Sequence, residues 1–232
     1  ETLSIRVARA AFDWRLRELL RRRIDVLQLT AEGVEVRLKD TREKQQESTE
    51  FKLPDVKLGV NIALHDASVR DVKIYAAGAS EPFVIDSAAL ESTAEGDVVH
   101  VQRLAVRGPR FALDASGEVR PQGAYPVDLQ LRWSAEPESL PRLAGRATLG
   151  GTLEELRVEH ATDAPFASRV AAVVRRPFGE ASFEGRVEFD RLDLRDFGQD
   201  YPAATLSADA RLAGTLAEFS GQGTLAAATE LL

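Results

Sequence analysis

Cysteine is absent from the chain, and so is methionine. The first absence removes disulfides, thiolate metal sites and thiol nucleophiles together, so thiols give no reading of redox compartment. Aromatic residues make up only 6% of the 232 residues, which leaves a thick interdigitated core poorly specified. No apolar run approaches the roughly 18 residues that a membrane-spanning helix needs. The chain starts at Glu1 with neither an initiator methionine nor a signal peptide. It therefore reads as a portion of a longer protein whose membrane tether would lie outside it. Positive charge is also in deficit, since 30 Lys and Arg against 37 Asp and Glu give a net −7, and this argues against a general polyanion binder. What remains is a foldable composition: 44% hydrophobic and 29% charged, close to globular averages, with length for one or two domains.

The dominant hydrophobic period is two. Val34, Val36 and Leu38 alternate with Glu35, Arg37 and Lys39, which puts the apolar trio on one sheet face and the charged trio on the other. Val60, Ile62 and Leu64, Val99 and Val101, Phe111 and Leu113, Leu129, Leu131 and Trp133, and Val187 and Phe189 follow the same rule. Each such strand has one apolar and one wet face. Turn signals separate the runs: Ala31-Glu32-Gly33, Asp66-Ala67-Ser68, Ala77-Gly78-Ala79, Glu95-Gly96-Asp97, Gly108-Pro109, Pro121-Gln122-Gly123, Pro177-Phe178-Gly179 and Phe197-Gly198-Gln199. Spacing this close predicts an antiparallel meander with no room for crossover helices.

One helix is predicted, with Asp13 capping Trp14–Arg23; Leu16, Leu19 and Leu20 share a face and arginines crowd the C-terminal end, where the dipole favours cations. A weaker helical run at 139–143 is interrupted by Pro141. Residues 40–50 hold no apolar side chain and read as a mobile solvated loop. Weak repetition is visible: Leu149-Gly-Gly-Thr-Leu-Glu-Glu-Leu156 is echoed by Leu212-Ala-Gly-Thr-Leu-Ala-Glu-Phe219, and Tyr125-Pro126 by Tyr201-Pro202. Repeats of this kind suit a sheet that grows by adding hairpins.

A sheet of about ten or more strands must cover its apolar face, because apolar area left in water costs roughly 25 cal/mol per Å². A sandwich, a barrel and a trough that meets an apolar guest are the three solutions. Few aromatics and repeated hairpins tilt the choice towards the trough. The expected fold is therefore mainly β: one elongated antiparallel sheet across 1–232, curled into an open hydrophobic groove, with a short amphipathic helix near its start. The expected lining is Val34, Val36, Leu38, Val60, Ile62, Leu64, Val99, Val101, Phe111, Leu113, Leu129, Leu131, Trp133, Val187 and Phe189.

Catalytic patterns are missing. His65, His100 and His160 are far apart in the sequence, match no metal-ligand spacing, and read as surface histidines on polar faces or at strand ends. Nucleophile-elbow, Walker and dinucleotide-binding motifs are absent. Asp190, Asp193 and Asp196 are spaced for solvent rather than for paired glycosidase chemistry. The expectation is a non-enzyme with no cofactor and no metal. The arginine cluster Arg15, Arg17, Arg21, Arg22 and Arg23 is either a solvated helix end or a candidate contact for anionic lipid headgroups, with Trp14 at the boundary.

Several stretches resemble a known family. Leu3–Val7, then Trp14 and Leu19-Leu20, Ile24–Leu29 and Gly33–Leu38 are similar in order to the segment that follows the membrane anchor in the TamB and AsmA-like family. Leu53-Pro54, Val60–Leu64, Ala67–Ile74, Ala115–Val119, Val127–Trp133 and Leu143–Leu153 continue the likeness over most of the chain. The resemblance implies a periplasmic lipid-transfer segment, tethered to the inner membrane by an anchor that this chain lacks. Its groove would shield phospholipid acyl chains, flanking segments would extend the sheet, and the outer-membrane barrel TamA would be a partner through regions outside the chain. The alternative implied function is a structural or chaperone-like module for assembly of outer-membrane proteins and autotransporters by β-augmentation.

Overall fold

Period-two patterning becomes strand along most of the computed structural model, which describes residues 3–38, 59–76, 78–138, 140–177, 180–198, 201–215 and 217–229. The chain divides into two compact units, Glu1–Gln122 and Gly123–Leu232. The first contains β1 (Leu3–Trp14), β2 (Arg23–Leu38), β3 (Asn61–Tyr75), β4 (Phe83–Glu95), β5 (Val98–Gly108) and β6 (Phe111–Val119). The second contains β7 (Val127–Ala135), β8 (Leu143–Gly151), β9 (Glu155–Ala164), β10 (Ser168–Arg175), β11 (Ser182–Asp193), β12 (Ala204–Thr215) and β13 (Phe219–Thr229). Strand order is sequence order, so the sheet in each unit is open and closes into no barrel.

One pair departs from the expected meander: β2 and β3 are parallel. Parallel neighbours need a crossover of a dozen or more residues, and the stretch between Leu38 and Asn61 supplies it. The predicted polar loop, 40–50, lies within that connection and outside the described residues.

The predicted N-terminal helix is a six-residue 3₁₀ turn, Leu16–Arg21. Asp13 and Trp14 belong instead to β1, where they pair with Gln28 and Val26, so no side-chain cap forms. Arg22 then ends the turn in the left-handed region. With no layer to pack against, Leu20 stays 91% exposed. The second predicted helix gives way to β8, which begins at Leu143. A second 3₁₀ turn, Leu194–Phe197, was not predicted; Asp193 caps it by accepting from the Arg195 N–H.

Two predicted turns lie inside strands. The row Ala8, Gly33, Asp71 and Asp86 marks a phase change in four strands, because apolar positions three apart flank it: Val7 and Ala10, Ala31 and Val34, Val69 and Val72, Ile85 and Ala88. Gly33 and Asp71 there have positive φ, 66° and 51°. A left-handed residue resets the alternation of an extended strand, so Val34 follows Ala31 and Val72 follows Val69 on the apolar side. The stack of Phe83 on Phe111, centroids 5.2 Å apart, agrees with that placement. Asp66 sits in a bulge, a second register shift that also runs through β2 and β5.

Burial is shallow throughout. Among the described residues the buried apolar side chains are two valines, Val26 and Val72, and four alanines, and no large side chain is fully buried. A facing second sheet would have buried these rows. The buried charge is Asp25, which accepts from Arg15 Nη1 at 3.3 Å and contacts His65 Nε2 at 2.8 Å. The Arg15 N–H also donates to the Asp25 carbonyl at 2.8 Å, tying the 3₁₀ turn back onto β2.

The repeated sequence has a common geometry. Thr152 N–H donates to the Glu155 carbonyl at 3.0 Å while its Oγ1 accepts from Glu155 N–H at 3.2 Å. Thr215 makes the same pair with Glu218, at 2.7 and 3.1 Å. The two Gly-Thr-Leu repeats are therefore one kind of hairpin turn, used between β8 and β9 and between β12 and β13.

A Cβ on Gly33 would sit 2.9 Å from the Ala8 Cβ. Gly33→Val should cost about 2 kcal/mol in urea unfolding, combining that clash with strain at positive φ. Adding Ala8→Gly should recover only part of the loss, since the backbone strain remains.

Candidate functional site

Directly opposed residues of neighbouring strands share a sheet face, so register alone assembles the candidate surface. In the first unit Val26, Leu64, Ser92, Val101 and Gly117 form one cross-strand row, and Ile62, Ala94, Val99 and Val119 another. Leu29, Ala67, Leu90, Leu104 and Ala115 form a third, and Ala31, Val69, Ala88, Val106 and Leu113 a fourth. Val34 lies between Val7 and Val72, and Val36 between Ile5 and Ile74. Phe111 folds over the Gly108 turn, where a Cβ would strike its ring.

In the second unit Leu129 opposes Leu149, Leu131 opposes Ala147, and Trp133 opposes Gly145. Val187 lies between Val170 and Ala210, and Phe189 between Ser168 and Ala208. The expected lining residues thus fall into two apolar surfaces, one in each unit. Two need separate statement. Val60 lies in the bend before β3 rather than in a strand, because β3 starts at Asn61. Leu38 pairs with Leu3 at the end of β2, with its side chain outside the described residues. Leu90, Leu104, Val106, Leu149, Val158 and Val170 belong to the same faces and were missed, because their strands mix alanine, serine and glycine among the apolar positions.

Among the described residues no second layer covers these surfaces. Ile5, Val7, Phe12 and Phe83 are 60%, 46%, 55% and 56% exposed, and Leu225 is 70% exposed. Of the expected lining, the described side chains are half-buried, while Val26 and Val72 in the same rows are buried.

The opposite face is charged and laterally paired. Arg107 Nη2 donates to both Asp114 oxygens, at 2.7 and 2.9 Å. Arg186 Nε donates to Asp209 at 2.8 Å, which raises the Arg186 pKa and holds the Asp209 carboxyl below its ordinary value. Arg195 does the same for Asp193, and Asp190 accepts from Ser207, so these carboxylates serve local bonds rather than a paired acid site. An open depression of about 680 Å³ crosses β9 to β13. Its lining takes in Val158, Ala172, Leu212 and the glycines Gly185 and Gly221 of one apolar row together with Arg157, Glu159 and Arg186 of the charged rows beside it.

The arginine cluster is partly engaged. Arg15 pairs with Asp25, while Arg17 and Arg21 both approach Glu18, at 3.7 and 3.4 Å. Arg22 and Arg23 are exposed beside Leu20. His65 and His100 lie beside Asp25 and Glu118. His160 departs from the expected polar position: it opposes Ala147 and Val170 on the apolar face. Strand parity puts it there, in step with Leu156 and Val158. Among the described residues no three His, Asp or Glu gather as metal ligands, and no helix is long and apolar enough to cross a membrane.

Acid should weaken the Arg186–Asp209 contact. Because the folded Asp209 pKa lies below the unfolded value, its contribution is present above about pH 4 and is lost as pH falls through the folded pKa. Asp209→Asn should remove that part of the acid dependence of second-unit unfolding, measured by urea titration at several pH values.

Compared with known proteins, the chain matches the family profile described as TamB, N-terminal domain, over residues 42–177, more than half its length. No curated protein and no solved structure matches it.

Proposed function

The chain belongs to the TamB family, whose N-terminal domain it carries, and from this premise we propose that its apolar faces shield phospholipid acyl chains in transit through the cell envelope. The observation that carries the reading is the uncovered apolar surface in each unit, with Ile5, Phe12, Phe83 and Leu225 more than half exposed. Apolar area of that kind is unfavourable in water at roughly 25 cal/mol per Å², and an acyl chain laid along it would remove the penalty on both sides. Headgroups would remain in water, so no covalent step and no cofactor is needed. Movement between rows of similar apolarity changes free energy little.

The setting in this reading is the periplasm, where the protein would be tethered to the inner membrane and would meet TamA. Arg22, Arg23 and the exposed Leu20 would meet anionic headgroups where lipid enters, each cation near such a surface adding about 1 kcal/mol. Arg15, Arg17 and Arg21 would support them from their pairs with Asp25 and Glu18.

A second reading takes the sheet as a structural or chaperone-like module for outer-membrane protein and autotransporter assembly, in which strands of the client pair with the sheet by β-augmentation.

Leu64→Asp or Leu131→Asp places an unpaired charge in the acyl path. In the full-length parent at normal abundance, either change should reduce phospholipid transport by about tenfold or more. The β-augmentation reading instead predicts that outer-membrane protein assembly stays intact in the same folded variants.

A further inference from the structure

One patch interrupts the apolar face of the second unit. Trp133 on β7 opposes Gly145 on β8, where a Cβ would stand 3.2 Å from the indole nitrogen. The missing side chain lets the indole cross β8 and reach His160 on β9. There the indole N–H donates to His160 Nε2 at 3.0 Å, with ring centroids 5.6 Å apart. An indole nitrogen can only donate, so Nε2 accepts and the neutral imidazole carries its proton on Nδ1. That second N–H has no acceptor among the described residues.

In the next row Thr162 lies between Gly145 and Ser168. Ser168 Oγ donates to Thr162 Oγ1 at 2.8 Å, which leaves the threonine hydroxyl its own proton to donate. Phe189 opposes Ser168 on the far side, with Phe166 edge-on to it at 6.2 Å. Two hydrogen-bond donors therefore stand on an otherwise apolar surface between aromatic flanks. A hydrocarbon lying over them would desolvate both without replacement, whereas an oxygen acceptor would satisfy them.

We propose that His160 and Thr162 form a binding site for the oxygen-bearing head end of an acyl chain, a fatty-acid carboxylate or a glycerol ester, with the methylenes along Leu131 and Val187. The site rests on the acyl-shielding reading above and adds a chemical preference to it. Ligands that present acceptors are held, and plain hydrocarbon is not.

The test uses the whole chain carrying Trp14→Phe, so that Trp133 is the sole indole of the two in the sequence. Oleic acid, methyl oleate and octadecene are titrated while Trp133 emission and ligand depletion are followed together. Oxygenated ligands should bind about fivefold or more tightly than octadecene and shift the emission. Binding of both indicates ester recognition, and binding of oleic acid alone indicates the carboxylate. The isosteric pair Thr162→Val with Ser168→Ala, and separately His160→Phe, should erase the margin while octadecene binding stays. An unchanged margin in folded variants, or equal affinity of all three ligands for the parent, overturns the site but leaves acyl shielding intact. Failure of every ligand to bind the parent overturns both.

Discussion

Everything in this structure follows from apolar sheet faces that no other described element of their own unit covers. In an ordinary domain the inward rows of a sheet meet a second sheet or a layer of helices. Among the described residues the helical pieces are short 3₁₀ segments of six and four residues, and the buried apolar set is mostly alanine. Order must therefore come from the backbone ladders and from cross-strand pairs such as Val34 with Val72 and Leu129 with Leu149. The same geometry leaves Val, Leu and Phe side chains where an apolar guest can reach them.

The charged face complements this arrangement. Arg107 with Asp114, Arg175 with Glu155 and Arg186 with Asp209 tie adjacent strands laterally. Exposed pairs of this kind add little stability singly, but they keep the outer surface wet and fix which side is apolar. The phase change at Gly33 and Asp71 serves the same end, because it lets strands of 15 and 16 residues keep their apolar positions on one side through a kink. Within the apolar rows, glycine acts differently again. Gly145 clears the way for Trp133, and Gly185 and Gly221 thin the row that holds Val158 and Leu212.

Much of this was legible in the sequence because the side-chain period of a strand is two and needs no tertiary information. The one-sided strands at 34–38, 62–64, 99–101 and 129–133 all came from that rule. The Gly-Thr-Leu repeat also marked two hairpins of one geometry. What the rule missed was non-local or irregular. Gly33 and Asp66 carry turn chemistry but sit in a kink and a bulge, because flanking strands pair across them. The parallel pairing of β2 with β3 is a non-local choice of partner that alternation within a strand does not encode. Asp13 and Trp14 join β1 because partners Gln28 and Val26 lie beyond the reversal. His160 looked like a surface residue because the alternation of β9, Leu156, Val158, His160, is visible only when histidine is counted in the apolar phase.

Native mass spectrometry of the chain, purified from cells that contain both membranes and released under mild conditions, measures most directly whether the open faces take lipid. Acyl-shielding predicts adducts with the masses of phospholipids or fatty acids, removed by delipidation and restored by adding lipid. A chain that stays bare in the presence of lipid, its apolar surface intact, would contradict it.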